Sequence, residues 1–303
     1  MFVPPGFGSK SVVTQLGTVV YYTASGFPWV TPESTVESVP SLVFLHGFGG
    51  GSSAYEWSKV YPAFASEYRI LAPDLIGWGR SDHPVRNYQV DDYVNTLIEF
   101  LEQTSSAAVS VVASSLTAAI TIRAAIARPD LFQSLILTTP TGLAEFGEDY
   151  SRTLIVQLVS TPGLDKVLYN FGVATPFGIR AFLEQRQFAH ADRVFPEIVE
   201  AYLESATQPG AEYAALSFVR GDLCFDLSLY IEQLKTPTAI IWGRRSQFTT
   251  PEVGRRLAAL NPQAVRAFIE LDDVGLTPQL ELPAITIGLI RRFLNELGRP
   301  HVI

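Results

Sequence analysis

Along most of this chain, short apolar runs rich in β-branched residues alternate with longer runs of helical pattern. Thr18–Thr23, Leu42–His46, Tyr68–Ala72, Val109–Ala113, Leu135–Thr139, Ala239–Trp242 and Ala267–Leu271 read as strands. Several are continuous Val/Ile/Leu runs, the mark of parallel strands covered on both faces. Val90–Gln103, Leu116–Arg128, Pro251–Leu260 and Leu282–Leu297 read as helices. Asp91 and Asp92 suit the positive end of the first, and Gly298-Arg299-Pro300 stops the last. Strand and helix in alternation predict an α/β fold, a mostly parallel, doubly wound sheet whose functional groups sit at the carboxyl ends of strands.

The alternation breaks over 145–221. There the pattern is helical, punctuated by Pro162-Gly163, Pro176-Phe177-Gly178 and Pro209-Gly210, and carries ten aromatic residues from Tyr150 to Phe218. Each ring alone suits packing; together they predict a helical cap over an apolar pocket. The expected organisation is a core of 1–144 and 222–303 with a cap insertion at 145–221.

Composition narrows the partners. The chain has 303 residues, 47% apolar and 17% charged, enough for a sizeable core. A net charge of −8 and no basic run argue against nucleic acid, whose phosphates need clustered Lys and Arg. One cysteine, Cys224, allows no internal disulfide. The amino terminus lacks a basic segment followed by an apolar one, so a cytoplasmic protein is expected. Residues 104–122 are uncharged, but eight of the 19 are Ser or Thr. A strand, a tight turn and a helix explain them better than a transmembrane segment. No metal cluster, phosphate loop or dinucleotide fingerprint is present, so no cofactor and no metal are expected.

Three segments carry chemistry. His46-Gly47-Phe48-Gly49-Gly50-Gly51 follows a strand, with Trp57 beyond it. Asp74-Leu75-Ile76-Gly77-Trp78-Gly79-Arg80-Ser81 follows the next. Ala113-Ser114-Ser115-Leu116-Thr117 joins a strand to a helix at a serine. Together they resemble the α/β-hydrolase fold superfamily from about Leu16 to Leu297: an HG loop, a D-x-x-G-x-G-x-S segment and a serine elbow of the G-x-S-x-G kind.

The resemblance implies a nucleophile at Ser115, oxyanion-loop residues Gly47, Phe48 and Leu116, an acid after the Ala239–Trp242 strand, and a histidine after the last strand. The chain departs from that pattern at three places. Trp242-Gly243-Arg244-Arg245-Ser246 puts Ser246 at the acid position, and Gly275-Leu276-Thr277-Pro278 puts Leu276 at the histidine position. Both elbow glycines are replaced, by Ala113 and Thr117. Neither Asp272, Asp273 nor Glu145 supplies the missing imidazole. Removing the serine or histidine of such a triad lowers turnover about 10⁶-fold, or roughly 8 kcal/mol of transition-state stabilisation at ~1.36 kcal/mol per decade. Crowding by Thr117 predicts a relaxed turn, or a Ser115 hydroxyl held by Ser114 or Ser246.

His46, Ser114, Trp57, His190 and Thr277 are the remaining pocket candidates; His83 and His301 fall on a surface loop and in the tail. The expected function is a non-hydrolytic binding or interaction protein, a pseudoenzyme with a degenerate triad, taking a small apolar ligand or a protein partner. The alternatives are a cofactor-free lyase, isomerase or cyclase using the oxyanion loop, and a rewired serine hydrolase acting on a small apolar ester.

Overall fold

The computed structural model describes residues 2–30, 39–147 and 164–298. Tyr150, Pro162-Gly163, Arg299-Pro300 and His301, named above, lie outside the described residues. Eight strands form one sheet: β1 (Phe7–Thr14), β2 (Gly17–Ala24), β3 (Ser41–Leu45), β4 (Arg69–Pro73), β5 (Val109–Ser114), β6 (Phe132–Thr138), β7 (Thr238–Gly243) and β8 (Val265–Leu271). Their order is β1-β2-β4-β3-β5-β6-β7-β8. β1 pairs antiparallel with β2, and β2 with β4; the remaining neighbours run parallel.

Strand β1 is absent from the expected set for a physical reason. It is the sheet's outer strand, and Ser9, Lys10 and Ser11 face solvent in succession, which erases the apolar signal. A charged, polar edge also discourages pairing with other chains. Its register is fixed by a tight hairpin in which Thr14 pairs with Gly17. Strand β6 starts at Phe132 rather than Leu135, because the turn Pro129–Leu131 delivers the chain there with Phe132 already buried.

Nine helices are used below: α1 (Val90–Thr104), α2 (Ser115–Ala127), α3 (Leu164–Leu168), α4 (Pro176–Phe182), α5 (Pro196–Ala206), α6 (Ala211–Arg220), α7 (Pro251–Leu260), α8 (Pro278–Glu281) and α9 (Pro283–Leu297). Helix α1 begins with a capping box, in which Asp92 accepts the Gln89 N–H at 2.8 Å. The sheet's central strands are buried almost completely, as continuous apolar runs require. Leu97, Phe100, Ile120 and Leu257 from α1, α2 and α7 share one core, on one face of the sheet. Trp57, Tyr61, Phe64, Ile290 and Phe293 fill the other. The uncharged stretch 104–122 is the end of α1, strand β5 and the start of α2. Among the described residues no helix is long and apolar enough to cross a membrane.

Helices α3 to α6 lie in sequence between β6 and β7. Apolar side chains of this stretch, Ile179, Leu183, Ile198 and Tyr202, form a third cluster that closes on Tyr55 and Leu280 of the core.

Candidate functional site

Strand β5 runs directly into α2, with Ser114 the last extended residue and Ser115 the first of the helix. No loop residue is available to reverse direction, so Ser115 itself takes a left-handed backbone, φ 56°. The relaxed turn expected from Thr117 is therefore wrong. Connectivity demands the strain, and Thr117 is simply buried in the helix with its hydroxyl unpartnered. Nor is Ser115 held by Ser114 or Ser246. Its hydroxyl makes no hydrogen bond among the described residues, and the residue lines a small pocket.

Gly47, Phe48, Gly49, Ser52, Glu56, Ser114, Phe182, Gln187, Leu276 and Thr277 complete the wall of this pocket. Leu276 and Thr277 thus meet Ser115 in space, although 161 residues separate Leu276 from it. The loop bearing them follows β8 and is clamped by Glu281, whose carboxylate accepts the Gly275 N–H and the Ala189 N–H at 2.8 Å each. Leu276 donates its own N–H to Gln187 O at 2.7 Å.

Ser246 follows β7 as expected, but it is not part of the pocket wall. Asp272 and Asp273 are exposed and engaged elsewhere, with Arg244 at 2.6 Å and Arg245 at 2.8 Å respectively. Glu145 is buried on its own loop, where it accepts from Thr141 at 2.9 Å and from the Gly142 N–H.

Three pocket candidates belong elsewhere. Trp57 is fully buried in the core, donating its indole N–H to Leu45 O at 2.9 Å. His46 donates from Nδ1 to Gly47 O at 2.7 Å and accepts the Leu75 N–H on Nε2 at 3.0 Å. Burial pushes its pKa down to about 4, so the ring is a neutral tie between two loops. His190 does not line the pocket, and its Nε2 lies 3.6 Å from the exposed Asp273. None of the histidines among the described residues lines the pocket.

The residue that sequence reasoning missed is Glu56, adjacent to the chosen Trp57. It lies in the turn Ala54–Trp57, is 1% exposed, and reaches the pocket. One carboxylate oxygen accepts the Gly47 N–H at 2.9 Å and the other accepts the Tyr202 hydroxyl at 2.9 Å. Ser52 and Gln279 add further hydrogen bonds, yet burial still holds the carboxyl above its ordinary range. A lone acid in an apolar tetrapeptide has no periodic signature, and its partners are distant in sequence. The Gly47 expectation needs correcting for the same reason: its N–H is taken by Glu56 and cannot serve an oxyanion. The Phe48 N–H has no acceptor among the described residues. The Leu116 N–H lies in the first turn of α2, which has no capping side chain. These two remain as the donors.

A second, larger cavity of about 410 Å³ adjoins the serine pocket. Leu168, Tyr169, Val173, Ile179, Leu216 and Phe218 give it an apolar lining. The two spaces share Phe182 and meet at the consecutive residues Gly49 and Gly50. Gly51 must be glycine: at φ 95°, a Cβ would lie 2.1 Å from Tyr202 O of α5.

A doubly wound sheet carrying a strained serine elbow, an HG loop and helices inserted over both defines a class of α/β proteins. The model of the alpha/beta hydrolase fold family matches residues 40–281, and the chain belongs to that family. It is 25% identical over 304 residues to the 2-hydroxymuconate semialdehyde hydrolase of Pseudomonas sp. (strain CF600), covering 96% of this chain and 95% of that one. Human epoxide hydrolase 4 is 25% identical over 280 residues, covering 86% of this chain and 74% of that protein. An uncharacterised protein of Mycobacterium tuberculosis is 32% identical over 125 residues, 41% of this chain. That alignment spans only 35% of the mycobacterial protein. Among solved structures, epoxide hydrolase CorEH superposes with a TM-score of 0.76 at 18% identity, over 96% of this chain and 99% of that one. A meta-cleavage product hydrolase from Pseudomonas fluorescens IP01 gives 0.74 at 22%, over 97% and 99%. At these identities the structures support the fold alone.

Proposed function

We propose that this α/β-hydrolase-fold protein is a non-hydrolytic binding protein that encloses a small apolar ligand beneath its inserted helices. The observation that carries this reading is the company of Ser115. Its hydroxyl faces a pocket whose wall holds Leu276 and Thr277 and none of the described histidines. A serine hydroxyl needs an adjacent base to become a nucleophile. The titratable group present, Glu56, already accepts on both oxygens from Gly47 and Tyr202. The apolar cavity next door has the size and lining of a small-molecule site. Ser246 and Leu276 stand, on this reading, where a hydrolase would keep its acid and histidine.

Turnover of p-nitrophenyl acetate is the direct test. The protein and its Ser115→Ala variant should hydrolyse it at the same near-background rate. Turnover well above background and abolished in Ser115→Ala would overturn the reading in favour of a rewired hydrolase.

A second reading, a cofactor-free lyase or isomerase, is favoured by one feature. Ser115 keeps its left-handed backbone and free hydroxyl beside the Phe48 and Leu116 donors, an arrangement suited to stabilising an enolate or alkoxide.

A further inference from the structure

The polar half of the serine pocket holds buried groups with nothing to bond. Gln187 and Thr277 are each 2% exposed, yet Gln187 Oε1 and Thr277 Oγ1 have no partner. Both residues line the pocket, together with the free hydroxyl of Ser115. An unsatisfied buried acceptor or hydroxyl costs about 1–3 kcal/mol, so a cluster of them around one space points to an occupant. The Gln187 amide is oriented by its neighbours. Tyr202 donates its one hydrogen to Glu56, so Gln187 presents its NH₂ to the Tyr202 oxygen at 2.7 Å. That turns the carbonyl oxygen of Gln187 to the free side. The pocket therefore needs a guest that donates to Gln187 and accepts from Thr277, Ser115 or the Phe48 N–H.

We infer that the serine pocket holds the hydroxyl end of an uncharged apolar alcohol, whose hydrocarbon body lies in the adjoining cavity. This rests on the binding reading above and names the ligand class. The free space beside Ser115 is about 10 Å³, enough for one water-sized group. A hydroxyl fits there. A carboxylate brings no hydrogen for Gln187 Oε1 and would share a wall with the Glu56 carboxyl. An ammonium has no lone pair with which to accept from Thr277, Ser115 or the Phe48 N–H, and it would lie at the positive end of α2. Beyond the shared Phe182, the apolar lining accepts the chain.

Calorimetric titration of the protein with octan-1-ol, 1-methoxyheptane, octanoate and octylamine tests the assignment. The first two are isomers and differ in the hydroxyl hydrogen. The alcohol should bind about tenfold more tightly than the ether, the worth of one or two satisfied buried hydrogen bonds. In Gln187→Met, which removes the acceptor for the guest's hydrogen, the alcohol-to-ether ratio should fall toward one, whereas Thr277→Val should weaken both ligands and leave the ratio unchanged. Thermal melting of each variant checks that it folds. Equal affinity for alcohol and ether, or tighter binding of octanoate or octylamine, overturns the headgroup inference while leaving apolar binding intact. Binding of none of the four by the folded protein overturns the binding reading, and this inference with it.

Discussion

A non-glycine residue held at φ 56° carries a strain of about 1–3 kcal/mol. Ser115 bears it because β5 and α2 abut, and the same geometry turns its hydroxyl into the pocket. Nucleophile placement and nucleophile activation are thus separable here: the backbone supplies the first, and only a side chain can supply the second. Leu276 is the residue on which the second depends, since it lines the same pocket as Ser115. If the protein is non-hydrolytic, as proposed above, Leu276→His should confer esterase turnover. General-base assistance contributes about 10²–10⁴-fold, and without an orienting acid the low end applies. Turnover of p-nitrophenyl acetate should rise about 10²-fold over the parent, and the gain should vanish in the Ser115→Ala/Leu276→His double variant. If the rate stays at the parental level, the hydroxyl is not reachable from that wall.

At the scale of elements, the site depends on two loops pressed together at the carboxyl ends of β7 and β8. A Cβ on Gly243 would lie 1.8 Å from Gly275 O, and one on Gly275 would lie 2.5 Å from Gln187 O. The backbone of the Leu276 loop is therefore wedged between the end of β7 and the inserted helices. Gly243→Ala forces this stack apart and should cost about 1–3 kcal/mol, the usual range for overpacking, measured as a lowered urea midpoint. An unchanged midpoint would mean that the stack yields freely. The sequence conveys this architecture unevenly. Buried parallel strands such as Val109–Ser114 and Thr238–Gly243 announce themselves as unbroken apolar runs, because both faces are covered. Strand β1, polar and at the edge, does not. Motif spacing places Ser115, Phe48, Leu276 and Thr277 at one site, since it reflects where strands end. It is silent on Glu56, Gln187 and Gln279, whose roles come from contacts across the fold: Tyr202 to Glu56, and Gln279 to Ser114 at 3.3 Å. Trp57 and His190 fall outside the pocket for the complementary reason, that residue type alone does not say which face a side chain occupies.

For the molecule as a whole, buried ionisable groups of opposite kinds set the response to acid. His46 stays neutral down to about pH 4 when folded, because burial disfavours its charged form, whereas the unfolded chain protonates it near 6.5. Its contribution to stability is present above pH 6.5 and is lost as pH falls toward 4. Asp74 works the other way. It ties two loops by accepting the Ala54 and Arg80 N–H groups at 2.8 and 2.9 Å, but burial raises its carboxyl pKa to about 6. The folded protein then holds a proton that the unfolded chain, with a value near 3.8, has released. That contribution is complete below 3.8 and is lost as pH rises through 6. Glu56, Glu145 and Glu281 are pushed in the same direction as Asp74, again chiefly by burial. Between pH 4 and 6.5 the imidazole and the carboxyls therefore oppose each other, and the native protein's stability should fall less steeply with rising pH than the four carboxyls alone would make it. His46→Gln removes one arm of this balance. Relative to the native protein, its stability should fall more steeply as pH rises from 4 to 6.5, the two profiles diverging by roughly 3 kcal/mol across the window. Urea titrations at half-unit intervals would read this out. Parallel profiles would mean that His46 titrates as an exposed imidazole, and that the tie between Gly47 and Leu75 opens in solution.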